Sequence, residues 1–441
     1  MTNTAEKFFK LRERKTTLSR EIAAGFTTFA TMSYILAVNP AILGLAGMDK
    51  AALVTVTALA TAFGCTVMAL LTNMPIAVAP AMGSNTYFAV LVCVGMGMDW
   101  REALALVFYN GVFFLLISIT GVREKIIAGV PRALQIGLQA GIGMFIAFFG
   151  LKSAGIIVGN PNTLVTAGNI TSPECLFALC GIALVSILTC KKFRPAIIAT
   201  IALMTLVAFF ATDSHGRKMA QIPDAIFSLP HGISETFMQL DWAYPFRDFR
   251  RAMPVILMLL FLDLFDTIAT VVALGRRSGM MSEDGHMKNI GRALVADATA
   301  TIGGAMLGTS TTGAYVESAA GIEAGGRTGI VPLTVAALFL LSLFVSPLIH
   351  AIPAAATAPA LVLVGIMMMQ GLKDLKFDDL NEVIPTFFCM MIMALTFKIS
   401  EGFAFGIIAY TLILVATKRA REIRRTTWLI FVVMCLFVAL S

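Results

Sequence analysis

The stretch Gly308-Thr-Ser-Thr-Thr-Gly-Ala-Tyr-Val-Glu317-Ser-Ala-Ala-Gly-Ile-Glu-Ala-Gly-Gly-Arg-Thr-Gly329 is a polar, glycine-rich insert in a chain otherwise built from apolar segments. Its glycine and hydroxyl residues predict irregular backbone, and Glu317 places an acid beside it. Irregular backbone at membrane depth is tolerated only where protein or a water-filled cavity covers it. The stretch therefore predicts an interior binding site in a membrane protein.

The composition agrees with a polytopic integral membrane protein. The chain has 441 residues, of which 58% are hydrophobic and only 13% are charged. Apolar runs of about twenty residues, each sufficient to cross roughly 30 Å of hydrocarbon, recur from position 22 to position 420. We therefore predict an all-α fold with about 14 transmembrane segments. The last apolar stretch, 428–440, is short for a span, and a position at the membrane interface is the alternative.

Basic residues predict the orientation. Residues 1–20 are rich in lysine and arginine, and the apolar run after them is too long for a signal peptide and lacks a cleavage pattern. We expect a cytoplasmic N-terminal segment, a retained first helix and a location in the plasma membrane. Under the positive-inside rule, the predicted cytoplasmic turns carry Arg123, Lys125, Arg132, Lys191, Lys192, Arg194, Arg276, Arg277, Lys288, Arg292 and the residues from Lys418 to Arg425. Topology thus explains most of the net charge of +7, and nucleic-acid binding is not expected.

Several other classes of protein lack support in the sequence. The seven cysteines show no CxxC spacing, and none of the four histidines belongs to an HExxH pair, so neither a metal nor another cofactor is predicted. A Walker A phosphate loop is absent, which argues against an ATP-driven pump. A membrane-embedded enzyme or sensor is the alternative from another class, but the chain offers no nucleophile–base pair for it.

The chain shows weak signs of two related halves. The least hydrophobic long stretch, 213–250, lies near the middle and is predicted to be a connector. Val130-Pro131 followed by Gly150-Leu-Lys152 recurs as Ile352-Pro353 followed by Gly371-Leu-Lys373. If each half has seven spans, the second half is inverted relative to the first, as in many secondary transporters, whose binding sites lie near the membrane midplane.

Two interrupted spans point to the binding site. The third span is broken by Pro75-Ile-Ala-Val-Ala-Pro80-Ala-Met-Gly-Ser-Asn85 and the tenth by residues 309–313. We expect both breaks to face the same cavity, and each to lead into a half helix whose N-terminus offers free amides to a ligand. Backbone groups of this kind can hold a polar planar molecule.

The eighth span carries two acids, Asp263 and Asp266, which share one helix face at a spacing of i and i+3. Each acid costs roughly 2.5 to 3.5 kcal/mol at the centre of a spanning helix, so a face that lines a cavity is the simplest explanation. Burial and mutual repulsion disfavour two charges, and we expect at least one carboxyl to hold a proton near neutral pH. The structural alternatives are capping or pairing to a neighbouring helix for these acids, and a packing hydrogen bond for Glu317.

From about position 8 to position 418, the chain resembles the AzgA-like purine permeases, a branch of the nucleobase:cation symporter superfamily that also includes uracil permease. The motifs that carry the resemblance are Ala24-Gly-Phe-Thr-Thr-Phe29, Val38-Asn-Pro40, Ala79-Pro-Ala-Met-Gly83 with Asn85, Asn160-Pro-Asn-Thr-Leu164 with Gly168-Asn169, Leu264-Phe-Asp-Thr267, and Glu317-Ser318 with Gly325 to Gly329.

The resemblance implies an inverted repeat of seven plus seven spans with uracil-permease-like core and gate domains. After the N-terminal segment 1–20, it places the core at 21–121 and 251–350, the gate at 122–212 and 351–418, the connector at 213–250, and a basic turn with a short apolar segment at 419–441. It also implies an elevator-like movement of core against gate, usually in a homodimer.

The resemblance further implies the site and its ligands. We predict import of a purine nucleobase (adenine, guanine or hypoxanthine) together with protons. The alternative is the same fold carrying another planar heterocycle or a small anion. The predicted substrate-binding residues are Glu317, Asp263, Asn85, Ser84, Thr312, Gly313 and Tyr315, and the predicted proton-coupling residues are Asp266, Asp263 and Glu317. The chain departs from the family at Ser84, Thr86, Tyr87, Ala269, Gly313 and Ala314, which alters the donors, the acceptors and the backbone room around the ligand.

Overall fold

The computed structural model describes residues 2–120, 130–160, 163–193, 195–214, 216–223, 225–278, 280, 290–396 and 399–440. The predicted cytoplasmic residues Arg123, Lys125, Arg194 and Lys288 fall outside these ranges, as do two positions of a family motif, Pro161 and Asn162. The described chain is mostly helical, with two pairs of short antiparallel strands.

The helices before the connector are α1 (Thr2–Phe9), α2 (Leu18–Met32), α3 (Ile35–Leu43), α4 (Lys50–Thr72), α5 (Met82–Thr86, continued by the π-helix Tyr87–Gly95), α6 (Trp100–Thr120), α7 (Arg132–Ser153), α8 (Pro173–Cys190) and α9 (Ala196–Ala208). Strand β1 is Val78–Pro80, and β2 (Ile157–Asn160) forms a hairpin with β3 (Leu164–Ala167).

The later helices are α10 (Tyr244–Arg247), α11 (Phe249–Arg277), α12 (Ile290–Leu307), α13 (Ser318–Glu323), α14 (Ile330–Ser342), α15 (Ser346–His350), α16 (Ala354–Met368), α17 (Leu380–Thr396), α18 (Ile399–Ala416) and α19 (Arg425–Leu440). Strand β4 is Thr312–Ala314.

Seven helical segments in the described part of the chain are long and apolar enough to cross a membrane, and four shorter apolar helices accompany them. Helix α11 is more polar but has 29 residues, or about 43 Å of helix. These helices establish a multi-pass membrane protein. The count of fourteen spans and the inverted repeat stay predictions. Helix α19 has 16 residues, about 24 Å, in agreement with the short predicted C-terminal segment.

Local sequence explains where α4 begins and where its chain leaves the helical conformation. Asp49 caps the helix by accepting a hydrogen bond of 2.7 Å from the Ala52 amide. At the other end Asn73 adopts φ of 53°, a left-handed conformation that asparagine tolerates and that ends the helix. Pro75 and Pro80 then follow within seven residues, and since proline has no amide hydrogen, the chain continues as an extended segment.

The chain divides into two compact units, which are Met1–Ile119 with Ser172–Pro359, and Thr120–Thr171 with Ala360–Ser441. In the first unit, a buried apolar cluster packs β1 against α4, α11 and α12; its members include Met68, Val78, Val271 and Ala300. This cluster lies directly behind the extended segment. The predicted core and gate boundaries stay a prediction.

In the second unit, α7 packs against α17 through small residues. A Cβ atom on Gly137 would lie 3.2 Å from the Thr386 Cα atom, and one on Gly141 would lie 2.7 Å from the Met393 sulfur. Gly137 and Gly141 therefore allow the close helix packing that small residues at this spacing predict.

Candidate functional site

The two predicted breaks contact each other through a short antiparallel sheet. Strand β1 pairs with β4 so that Val78 lies opposite Ala314 and Ala79 opposite Gly313. The pairing extends by two hydrogen bonds of 2.9 Å, from the Ala81 amide to the Thr311 carbonyl and from the Tyr315 amide to the Ala77 carbonyl. Each break thus supplies hydrogen-bond partners for the other, which is how irregular backbone persists at membrane depth. The first break leads into α5 and the second into α13, so the polar residues at both helix starts share one region.

Asp263, in the middle of α11, receives two hydrogen bonds from other elements. The Ser84 hydroxyl on α5 donates to its Oδ1 at 3.3 Å, and the Asn110 amide nitrogen on α6 donates to its Oδ2 at 2.6 Å. All three residues are buried. The predicted residues Ser84 and Asp263 therefore lie together, and Asn110 is an additional member that sequence reasoning missed.

Asn85, the residue after Ser84, has both of its side-chain polar atoms engaged by protein. Its Nδ2 donates to Asn39 Oδ1 at 2.5 Å, and its Oδ1 accepts a hydrogen bond from Ser310. Asn39 in turn donates to the hydroxyls of Thr57 and Thr309, at 2.8 and 3.3 Å. This fully buried network joins α3, α4, α5 and the loop before β4. The predicted substrate role of Asn85 stays a prediction, and the geometry gives it a role in joining the two breaks.

Glu317 lies at the start of α13 and is half-buried. The hydroxyl of Tyr34, from the junction of α2 and α3, donates to its Oε1 at 2.7 Å. Its carboxylate keeps further acceptor positions, because one bond uses only one of about four lone-pair sites. Glu317 thus combines partial exposure with a fixed side chain, which suits an acid that binds a ligand N–H group.

The remaining predicted residues of the second break are held by backbone contacts. The Thr301 hydroxyl donates to the Thr312 carbonyl at 2.9 Å and lies 3.3 Å from the Thr312 amide, which donates to it. The Tyr315 hydroxyl donates to the Pro80 carbonyl at 2.6 Å and so ties the second break to the first. A Cβ atom on Gly313 would meet only the Ala81 Cβ at 3.6 Å and the Thr267 hydroxyl at 3.9 Å. A methyl group at Gly313 would therefore make ordinary contacts only.

Four acids belong to this region. Asp266 is half-buried on α11, and Asp297 on α12 is fully buried and accepts a hydrogen bond of 2.6 Å from the Thr267 hydroxyl. Asp297 was not predicted, although its position in an apolar segment was a usable signal. In the described part of the chain, none of Asp263, Asp266, Asp297 and Glu317 forms an ion pair with a basic side chain. The described part of the chain contains no group of three or more His, Cys, Asp or Glu side chains that could hold a metal ion.

Another buried acid supports the site from the other end of α13. Glu21 on α2 is fully buried and accepts hydrogen bonds from the Arg327 amide at 2.9 Å, the Thr328 amide at 3.0 Å and the Thr328 hydroxyl at 2.8 Å. The Arg327 guanidinium donates to the Ile322 carbonyl at 2.6 Å, near the C-terminus of α13. The turn that follows the half helix is therefore anchored to α2.

Comparison with known proteins identifies the family. The model Xan_ur_permease, described as a permease family, matches residues 19–405. The chain belongs to this family. This Xan_ur_permease member is therefore a transporter and not an enzyme, and its predicted resemblance to the purine branch of the nucleobase:cation symporter superfamily is confirmed.

Relatives with named substrates cover nearly the whole chain. The permease is 38% identical to the adenine permease AdeP of Escherichia coli, over 95% of this chain and 92% of AdeP. It is 39% identical to the guanine/hypoxanthine permease PbuG of Bacillus subtilis, over 98% of both chains. Since the two identities are nearly equal, overall similarity does not choose between these bases.

A solved structure supports the fold. The transmembrane domain of the cyanobacterial bicarbonate transporter BicA matches with a TM-score of 0.66 at 16% identity, covering 88% of this chain and 97% of that domain. At 16% identity, this match supports the fold alone.

Proposed function

We propose that this permease is a secondary active transporter that imports a purine nucleobase by proton symport. The observation that carries the proposal is the acid site where the two breaks pair, with Ser84 after the first break, Asp263 on α11 and Glu317 after the second break. The named substrates of the relatives, adenine and guanine/hypoxanthine, support the purine class.

A purine is planar and carries ring N–H donors next to ring nitrogen acceptors. Glu317 has a fixed position and spare acceptor capacity, and it would accept a ring N–H. Charge-assisted hydrogen bonds of this kind are roughly twice as strong as neutral ones. Asp263 and Ser84 would contact another edge of the base, and Gly313, which has no side chain, would let the ring plane approach the backbone.

Proton coupling is supported by acids of the site that form no ion pair with a basic side chain. Asp266, Asp263 and Glu317 lie in or beside the site, and in the described chain none is neutralised by lysine, arginine or histidine. A proton that enters one of these carboxyls would compensate a charge that is costly at membrane depth. Moving one charge across 100 mV is worth about 2.3 kcal/mol, or roughly fifty-fold accumulation.

Alternating access would follow an elevator-like movement of a core domain, which carries the paired breaks, against a gate domain. Both strands of the site belong to one compact unit, so the site can move as one body. We propose a homodimer as the working assembly. We also propose a plasma-membrane location with a cytoplasmic N-terminus, which accessibility of cysteines introduced into α1 in right-side-out and inside-out vesicles would test.

A different planar heterocycle is the alternative ligand within this fold. A small anion is less compatible with the site, because Asp263, Asp266, Asp297 and Glu317 would repel it. Competition between a labelled purine and unlabelled pyrimidines or bicarbonate distinguishes these ligands.

The decisive experiment is uptake of radiolabelled adenine, guanine and hypoxanthine into proteoliposomes, with and without an inward proton gradient. We expect accumulation above equilibrium that collapses when a protonophore is added. Empty liposomes are the control. Absence of uptake by folded protein would reject the purine, and uptake that ignores the protonophore would reject proton coupling.

A further inference from the structure

Asn110 has one polar atom that the protein leaves without a partner. The residue lies in the middle of α6 and is fully buried. Its Nδ2 donates to Asp263 Oδ2 at 2.6 Å, whereas its Oδ1 has no hydrogen-bond partner among the described residues. Buried polar atoms are nearly always paired, so an unpaired acceptor beside a predicted ligand-binding acid requires an explanation.

The hydrogen-bond network fixes the orientation of this amide. Rotating the Asn110 side-chain amide by 180° would place its oxygen against the Asp263 carboxylate, with two acceptors facing each other. The orientation with Nδ2 toward Asp263 is therefore the stable one while that carboxyl is charged. Oδ1 is left as the acceptor without a partner in the described chain.

While Asp263 is charged, it and its two donors, Ser84 and Asn110, leave only acceptors for a ligand at this point. Ser84 uses its hydroxyl hydrogen to donate to Asp263 Oδ1 at 3.3 Å, and Asp263 keeps unused lone pairs on both oxygens. A ligand edge that meets Asn110 Oδ1 and Asp263 together must therefore bring N–H donors. A carbonyl group on that edge would face oxygen atoms alone.

We propose that Asn110 is a specificity-determining residue that, together with Asp263, binds the exocyclic amino group of an amino-bearing purine. This inference rests on the proposed function. An exocyclic amino group carries two N–H bonds about 120° apart, and at hydrogen-bond lengths of about 2.9 Å it reaches two acceptors about 5 Å apart. The two acceptors offered here are Asn110 Oδ1 and Asp263 Oδ2, which are joined through the Asn110 amide group and its hydrogen bond of 2.6 Å.

Two matched pairs of ligands isolate the amino group. Adenine differs from unsubstituted purine by a 6-amino group, and guanine differs from hypoxanthine by a 2-amino group. In competition against radiolabelled adenine or guanine uptake, we expect the wild-type permease to favour the amino-bearing member of at least one pair by about tenfold or more. A site that hydrogen-bonds an N–H group disfavours the analogue that lacks it.

Asn110→Leu has nearly the same size and removes the acceptor. We expect it to reduce the preference within that pair to about threefold or less, mainly by weakening the amino-bearing ligand. Ser118→Ala is the control, because it also removes from α6 a buried oxygen without a hydrogen-bond partner among the described residues, but eight positions away from Asn110. It should keep the wild-type preference within the pair.

Each result has a defined meaning. Wild-type transport of purines with no preference in either pair would overturn the inference while leaving the proposed function intact, and so would an unchanged preference in Asn110→Leu. Transport of no purine at all would overturn the proposed function. Should Asn110→Leu fold poorly, Asn110→Ser, which keeps an oxygen that rotates to accept or donate, provides a second variant with an expected intermediate preference.

Discussion

The hydroxyl of Tyr34 donates a 2.7 Å hydrogen bond to Glu317 Oε1, across 283 positions of sequence. One bond thereby fixes the side chain of the half-buried acid at the start of α13, before any ligand arrives. A ligand-binding group that is already oriented loses less conformational freedom on binding.

Replacing Glu317 with Gln should abolish measurable substrate binding. The amide keeps an oxygen that can accept from Tyr34, so the fold should be retained, but the negative charge that strengthens the ligand hydrogen bond is lost. Binding of radiolabelled purine to detergent-solubilised protein is the measurement. Tyr34→Phe is the matched variant, and we expect it to weaken affinity by about tenfold at most. Wild-type affinity in Glu317→Gln would remove this acid from the site.

Asp266→Asn should separate transport from the proton gradient. The substitution keeps the size of the side chain but removes the group that exchanges the proton, so exchange of substrate across the membrane should persist while accumulation is lost. Counterflow and gradient-driven uptake in the same proteoliposomes measure the two activities. If gradient-driven accumulation equals that of the wild type, another acid carries the proton, and Asp297→Asn becomes the next variant to measure.

Two glycines next to the site should respond differently to alanine. At Gly313 a methyl group meets only ordinary contacts at 3.6 and 3.9 Å, so Gly313→Ala should fold normally and change substrate affinity by occupying space beside the break. At Gly308, φ is 104° and a Cβ atom would lie 2.5 Å from the Thr236 Cβ. Gly308→Ala should therefore lose several kcal/mol of stability.

Thermal unfolding followed by size-exclusion chromatography measures both glycine variants. Equal melting temperatures for Gly308→Ala and the wild type would contradict the backbone argument. Unchanged affinity in a stable Gly313→Ala would show that the ligand lies elsewhere.

Glu21→Ala should lower the thermal stability by several degrees. The substitution leaves two buried amides and one hydroxyl of the turn after α13 without an acceptor, at about 1 to 3 kcal/mol for each group. Glu13→Gln is a suitable control, because Glu13 forms an exposed ion pair with Lys10 that contributes little. A melting temperature equal to that of this control would show that the turn is held by other contacts.

Features that depend on composition and local chemistry could be predicted from the sequence. Pro75 and Pro80 cannot donate backbone hydrogen bonds, and the glycine and threonine run around Gly313 does not favour a helix, so both breaks were visible. Asp263, Asp266 and Glu317 were found because an acid is costly in an apolar segment, although Asp297 was missed. Ser84 and Asp263, both predicted site residues, form a hydrogen bond.

Features that depend on long-range partners could not be predicted. Asn85 has the residue type of a ligand-binding group, but Asn39 and Ser310 occupy its polar atoms, and neither partner is local in sequence. Glu21 follows a basic N-terminal segment and has the pattern of a surface acid, whereas it is buried against a turn about 300 residues away. These contacts between residues far apart in sequence appear only when α2 and α3 are in their folded positions.

The pairing of β1 with β4 also constrains how the permease is made. Val78 and Ala314 are 236 residues apart (314 minus 78), and ribosomes add about 5 to 20 residues each second. The first break therefore emerges roughly ten to fifty seconds before the strand that completes it. During that interval its backbone must rest in the translocon, in water or against a chaperone, so the site is assembled only after residue 314 of 441 has been added.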